Sequence, residues 1–127
     1  MKKILFCMIA VGLILAGCSK LIKIQTYDFD INNKTVTKEQ VRDAILAGCE
    51  ERGWLANEKD DNTISAKLLN KGRYEVYVDI VYDNTTYKIE YVKSVNLNAT
   101  EDKIHKAYAK WIAFLQKSIN AELFKIN

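Results

Sequence analysis

The stretch "YEVYVDIVYDNTTYKIEY", residues 74–91, decides the architecture. Tyr74, Val76, Val78, Ile80 and Tyr82 alternate strictly with Glu75, Tyr77, Asp79 and Val81. Only an extended strand turns a period of two into one apolar face. Asp83-Asn84-Thr85-Thr86 is turn chemistry, and Tyr87, Ile89 and Tyr91 repeat the alternation on the way back. Strands this close in sequence, joined by a turn, pair antiparallel. The chain therefore contains an antiparallel sheet with one apolar face, and other segments must cover that face.

Upstream, Ile64, Ala66 and Leu68 alternate with Ser65 and Lys67, and Asn70-Lys71-Gly72 makes a turn into the central strand. Trp54 to Glu58 carries a weaker strand signal. Further back, Tyr27, Phe29 and Ile31 alternate with Asp28 and Asp30 and read as a short edge strand. Between them Thr37-Lys38-Glu39-Gln40 is a capping-box pattern, with Thr37 as N-cap and Gln40 at the third position. Val41, Ala44, Ile45, Gly48 and Cys49 recur at helical spacing, and Gly53 supplies the left-handed position that ends a helix. The pattern predicts a helix over 38–52, with Trp54 folding back onto Cys49.

Downstream, a second helix is expected after a polar loop, with Asn98 or Thr100 as N-cap and Glu101 and Asp102 in its first turn. Ile104, Tyr108, Trp111, Ile112, Leu115, Ile119 and Leu123 form its apolar stripe. A helix with one apolar stripe must bury it, and the sheet has one apolar face to offer. The expected fold is α+β: a two-layer domain, an antiparallel sheet of three to five strands with two helices packed on one face, in a helix-grip-like arrangement.

The amino terminus reads differently. Lys2 and Lys3 precede an apolar run, Ile4 to Leu15, broken by Gly12. It falls short of the roughly 20 apolar residues that cross a bilayer core. A basic start, a short apolar run and small residues before a cut mark a secretory signal peptide. Leu15-Ala16-Gly17-Cys18 also resembles the bacterial lipobox, in which the cysteine sulfur receives a diacylglycerol and the leader is then removed. The resemblance makes residues 1–17 a signal peptide, Cys18 the lipidation site, 18–26 a lipidated tether and 27–127 a single domain. Two or more acyl chains hold a protein firmly on a membrane. Ser19 follows the cysteine, where serine permits transfer to the outer membrane in Gram-negative lipoproteins. The implied address is the periplasmic face of the outer membrane, or the outer face of the plasma membrane in a Gram-positive cell.

Charge and cysteines exclude several classes. The whole chain carries +3, but losing Lys2 and Lys3 with the leader leaves +1 on the mature part. No basic patch strong enough to imply nucleic acid remains. Cys7 leaves with the leader and Cys18 takes lipid, so Cys49 has no partner for a disulfide and reads as a small buried apolar residue. No His-rich, CxxC or HExxH spacing indicates a metal or cofactor. His105, the one histidine, reads as a residue that hydrogen-bonds the preceding loop and fixes it to the helix. Asp60-Asp61-Asn62 reads as a hairpin turn, because it lacks the spaced oxygens of a calcium loop. The two tryptophans and seven tyrosines fall mostly on core-facing positions.

"RGW" at 52–54, "VDIVY" at 78–82, "YKIEY" at 87–91, "SVNL" at 94–97 and "IHKAYAKWIAFL" at 104–115 together resemble a family of small bacterial lipoproteins. The likeness covers residues 38–123. The family has no assigned activity, so the resemblance implies fold and address only. Its matching residues here are Trp54, Ser94, Asn96, Leu97, His105, Tyr108 and Trp111. Arg73-Tyr74 departs from the family pattern, which has a basic residue followed by histidine. The layout is also similar, more weakly, to helix-grip domains of lipoproteins in the outer-membrane barrel-assembly machinery.

These readings lead to a membrane-anchored envelope lipoprotein, a non-catalytic binding or structural module with no cofactor. The alternative is a binder of a small ligand or cell-wall fragment, using a pocket near the last helix and Ser94, Asn96 and His105. Strand alternation turns Leu69, Tyr77, Val81 and Val92 away from the helices. They are the candidate contact face for an envelope protein or a second copy of the chain.

Overall fold

The computed structural model describes residues 20–32 and 35–126. Residues 1–19, which hold the expected leader, Cys18 and Ser19, lie outside the described residues. Among the described residues seven strands and two helices follow one another as β1 (Leu21–Lys23), β2 (Tyr27–Asp30), α1 (Lys38–Glu51), β3 (Leu55–Asp60), β4 (Thr63–Asn70), β5 (Tyr74–Tyr82), β6 (Thr86–Val95), β7 (Lys103–His105) and α2 (Ala107–Phe124). The large sheet is antiparallel, in the order β2-β6-β5-β4-β3, and β1 with β7 forms a separate two-stranded ribbon. The α+β fold has its helices packed against the sheet.

The core follows from alternation. Val76, Val78, Ile80 and Tyr82 of β5 are buried, as are Ile64, Ala66 and Leu68 of β4 and Tyr87 and Ile89 of β6. On this face α1 contributes Val41, Ala44, Ile45 and Cys49, and α2 contributes Tyr108, Ile112, Leu115, Ile119 and Leu123. α2 reaches the sheet through aromatic pairs: Tyr108 stands edge-on to Tyr91 at 5.5 Å, and Trp111 tilts onto Tyr74 at 6.3 Å. The helices approach so closely at Gly48 that a Cβ there would lie 2.8 Å from the Ile119 backbone nitrogen.

α1 begins and ends as its sequence dictates. Thr37 Oγ1 accepts from Gln40 N at 3.1 Å, and Gln40 Oε1 accepts from Thr37 N at 2.9 Å, which satisfies two donors at the helix start. At the other end Gly53 takes φ +81°. The Gly53 and Trp54 amides then close on Glu50 O and Cys49 O, a Schellman arrangement that seats the buried Trp54.

Two expectations are corrected. Leu21–Lys23 is a strand rather than part of a tether, paired with Lys103–His105 and packing Ile22 against the core. The last helix starts at Ala107, so neither Asn98 nor Thr100 is its N-cap. Thr100 Oγ1 instead accepts from Lys103 N at 3.1 Å and shapes the turn into β7. Both errors share one cause. Ile104 stands four residues before Tyr108, as helical spacing requires, but its burial comes from strand pairing with Ile22. A partner some eighty positions away leaves no local signal.

Candidate functional site

Ser94, Asn96 and His105 do not converge through hydrogen bonds. Ser94 faces the helices, and its Oγ meets the Tyr91 hydroxyl at 2.7 Å. Asn96 sits in the turn after β6 with φ +66°, and its side-chain amide donates to Arg73 O at 2.7 Å. His105 N donates to Leu97 O at 2.9 Å, and its Nδ1 accepts from Ala107 N at 3.0 Å. That last bond satisfies one of the amides that a helix start leaves unpaired. His105 thus ties the loop, the ribbon and α2 together, as a structural histidine would. None of the three lines the concavities described below.

A nearby polar atom was missed by sequence reasoning. Tyr108 is fully buried, and its hydroxyl has no hydrogen-bond partner among the described residues. Burial raises its pKa, with the neighbouring Tyr27 and Tyr91 adding to the effect, so the hydroxyl stays protonated. No sequence pattern distinguishes it from Tyr87, whose hydroxyl donates to Asn120 Oδ1 at 2.6 Å.

The open face of the sheet is split by charge. Tyr77 lies between two lysines, with Lys93 Nζ 4.7 Å and Lys67 Nζ 5.4 Å from the ring centre, and its hydroxyl donates to Glu75 Oε1 at 2.8 Å. Val92 flanks it, because β6 carries a bulge there: Lys93 pairs with Tyr77 and Tyr91 with Val78, leaving Val92 as the extra residue. Leu55, Tyr77 and Val92 line a groove of about 330 Å³ that also includes Lys67 and Asp79. Leu69 and Val95 flank Glu75 in the adjoining row. Leu55, Leu69, Val92 and Val95 are 67, 51, 49 and 43 % exposed, which makes this end the main apolar surface of the sheet.

Val81 does not belong to it. Four residues along a strand is about 13 Å, and the intervening row holds Asp79, bonded to Lys59 at 3.0 Å, and Glu90, 3.6 Å from Lys88. Val81 instead lines an open concavity of about 520 Å³ with Asp28, Asp30, Lys38, Asp83 and Lys88. Of the four residues expected on one contact face, Tyr77 and Val92 share a groove, Leu69 adjoins them, and Val81 stands apart. Leu55 and Val95 are the members that sequence reasoning missed. Leu55 lay in the weakest strand signal, and the bulge reverses the parity of β6 so that Val95 turns outward.

The chemistry available is limited. Cys49 is buried, and desolvation pushes its thiol up to about 12, so it is not a nucleophile at neutral pH. Among the described residues no group of three or more His, Cys, Asp or Glu side chains is placed to hold a metal ion. No helix among the described residues is long and apolar enough to cross a membrane. Comparison with protein-family models, curated proteins and solved structures found no match to this chain.

Proposed function

We propose that the protein is a membrane-anchored envelope lipoprotein whose domain binds a partner without catalysing a reaction. The observation that carries this reading is Leu15-Ala16-Gly17-Cys18, standing just ahead in sequence of a folded domain in which Lys20 O already accepts from Lys106 N. The implied address is the periplasmic face of the outer membrane. Labelling cells with a clickable fatty acid tests the anchor. Cys18→Ser is expected to abolish the label and leave the leader attached, and an undiminished label on the variant overturns the reading.

The surface that would serve binding is the open face around Tyr77. Its occupant, on this reading, is an envelope protein with acidic side chains around an apolar segment, matching Lys67 and Lys93 beside Leu55, Tyr77 and Val92. An aromatic residue beside exposed apolar side chains is a feature of partner interfaces, and here Lys67 and Lys93 flank the Tyr77 ring itself and set the sign of the charge a partner would meet. Tyr77→Glu with Val92→Lys is expected to remove crosslinks to that protein while the domain stays folded. Crosslinks that persist in the folded variant move the contact elsewhere, and a crosslinked homodimer assigns the face to a second copy.

A further inference from the structure

The domain's charges are unevenly distributed along the strands. At the end where β4 turns into β5 and β6 finishes, Lys20, Lys23, Lys71, Arg73, Lys103 and Lys106 are all exposed. Backbone contacts bring them to one region. Lys106 N donates to Lys20 O at 2.8 Å, and Lys23 and Lys103 stand directly opposite in the ribbon. His105 links to Leu97, and Asn96 links to Arg73 in the β4–β5 turn. Glu101 and Asp102, in the loop before β7, leave the group net positive. The opposite end carries exposed Asp30, Asp60, Asp61 and Asp83 at the close of β2 and in the other two hairpin turns. Lys38 and Lys88 line one concavity with Asp28, Asp30 and Asp83, and Lys59 precedes Asp60, so that end is mixed in sign and the lysine-rich end is the one-sided one.

Two features of the basic end call for an anionic partner. Like charges directly opposite on paired strands disfavour the pairing, and Lys23 faces Lys103. Among the described residues no ion pair involves any of the six cations. Ile22 and Ile104 point into the core, so Lys23 and Lys103 share the outer side of the ribbon.

The covalent chain says which anionic partner is near. Lys20 O is held by Lys106, and a fully extended chain advances at most about 3.6 Å per residue, so Cys18 lies within about 7 Å of Lys20. On the lipoprotein reading, a lipid on Cys18 would leave almost no tether. We infer that the β1–β7 ribbon and the β4–β5 turn form a membrane-apposed face that binds anionic phospholipid headgroups. The lysines supply compact charges to the phosphates, and the end of mixed charge points away from the bilayer. The domain stands upright on its anchor, and the open face around Tyr77 extends along the side, accessible to a partner.

The test uses the lipidated full chain, extracted from membranes and reconstituted into vesicles of phosphatidylcholine alone or with phosphatidylglycerol. A brief pulse of an amine-acylating reagent is read by mass spectrometry. In anionic vesicles Lys20, Lys23 and Lys103 are expected to react several-fold more slowly than in neutral ones, whereas Lys38 and Lys88 react equally in both. Screening in 1 M salt, where the Debye length is about 3 Å, should remove the protection. Lys23→Glu with Lys103→Glu, both exposed, should remove it from Lys20 and Lys106. Equal reaction in the two vesicle types, or equal protection of Lys38 and Lys88, overturns the inference. The same spectra show whether Cys18 carries a diacylglycerol: a chain without it overturns the lipoprotein reading as well, whereas a lipidated chain without selective protection overturns the apposition alone.

Discussion

The two faces of β5 come from one run of nine residues and have opposite fates. Val76, Val78, Ile80 and Tyr82 are closed in by both helices, whereas Glu75, Tyr77, Asp79 and Val81 remain partly exposed. The covered face is apolar throughout and specifies its own partner layer. The open face mixes acids, a tyrosine and a valine, and neighbouring strands decide whether its apolar members meet. Alternation thus commits one face to folding and leaves the other available for contacts.

The sharpest way to break this comparison is to truncate adjacent residues on opposite faces. Ile80→Ala removes a fully buried side chain, and such changes cost about 2–5 kcal/mol through lost burial and the cavity left behind. Val81→Ala, on the half-exposed side, should stay within about 0.5 kcal/mol. Urea unfolding of the two variants checks this, and comparable losses would mean that the open face is part of the core.

A second, smaller effect probes how the covering layer is built. Gly48→Ala gains about 1 kcal/mol of helix propensity. The added Cβ meets the Ile119 backbone, however, and overpacking of this kind costs about 1–3 kcal/mol. We expect a net fall in melting temperature. A rise would show that the two helices separate without loss and that the layer is looser than its geometry.

The smallest effect distinguishes two tyrosines on the covered face. Tyr87→Phe strips Asn120 Oδ1 of its donor and should cost about 1 kcal/mol. Tyr108→Phe removes a hydroxyl that has no partner among the described residues and should be neutral or slightly stabilising. If Tyr108→Phe were the costlier change in thermal unfolding, its hydroxyl would be bonded to an ordered water or ligand in solution.

Much of the fold was legible locally. The β5–β6 hairpin, the capped α1 with its Gly53 ending and the α2 stripe from Tyr108 onward each rest on periods and caps contained within a few residues. The alternation of β2 was legible in the same way, and it takes the edge place expected of it, beside β6. The candidate site was less legible. Ser94, Asn96 and His105 looked like one polar group because a resemblance set them side by side, but each bonds a different partner: Tyr91, Arg73 and Ala107.

Tyr77 could be placed on the open face from alternation alone, while its neighbours Val92 and Val95 could not. The bulge at Val92 breaks the period of two within β6, putting Val92 and Lys93 on one side and turning Ser94 inward and Val95 outward. Nothing in "YVKSV" announces that extra residue, because the partner strand determines where it falls. The β1–β7 ribbon was hidden for a related reason: pairing over so long a separation is selected by the assembled core, not by neighbours in sequence. By itself, then, the sequence determined the local elements and the apolar faces. Tertiary structure alone decided which distant strands pair, which apolar residues meet on the open face, and that the cations gather where the β1–β7 ribbon meets the β4–β5 turn.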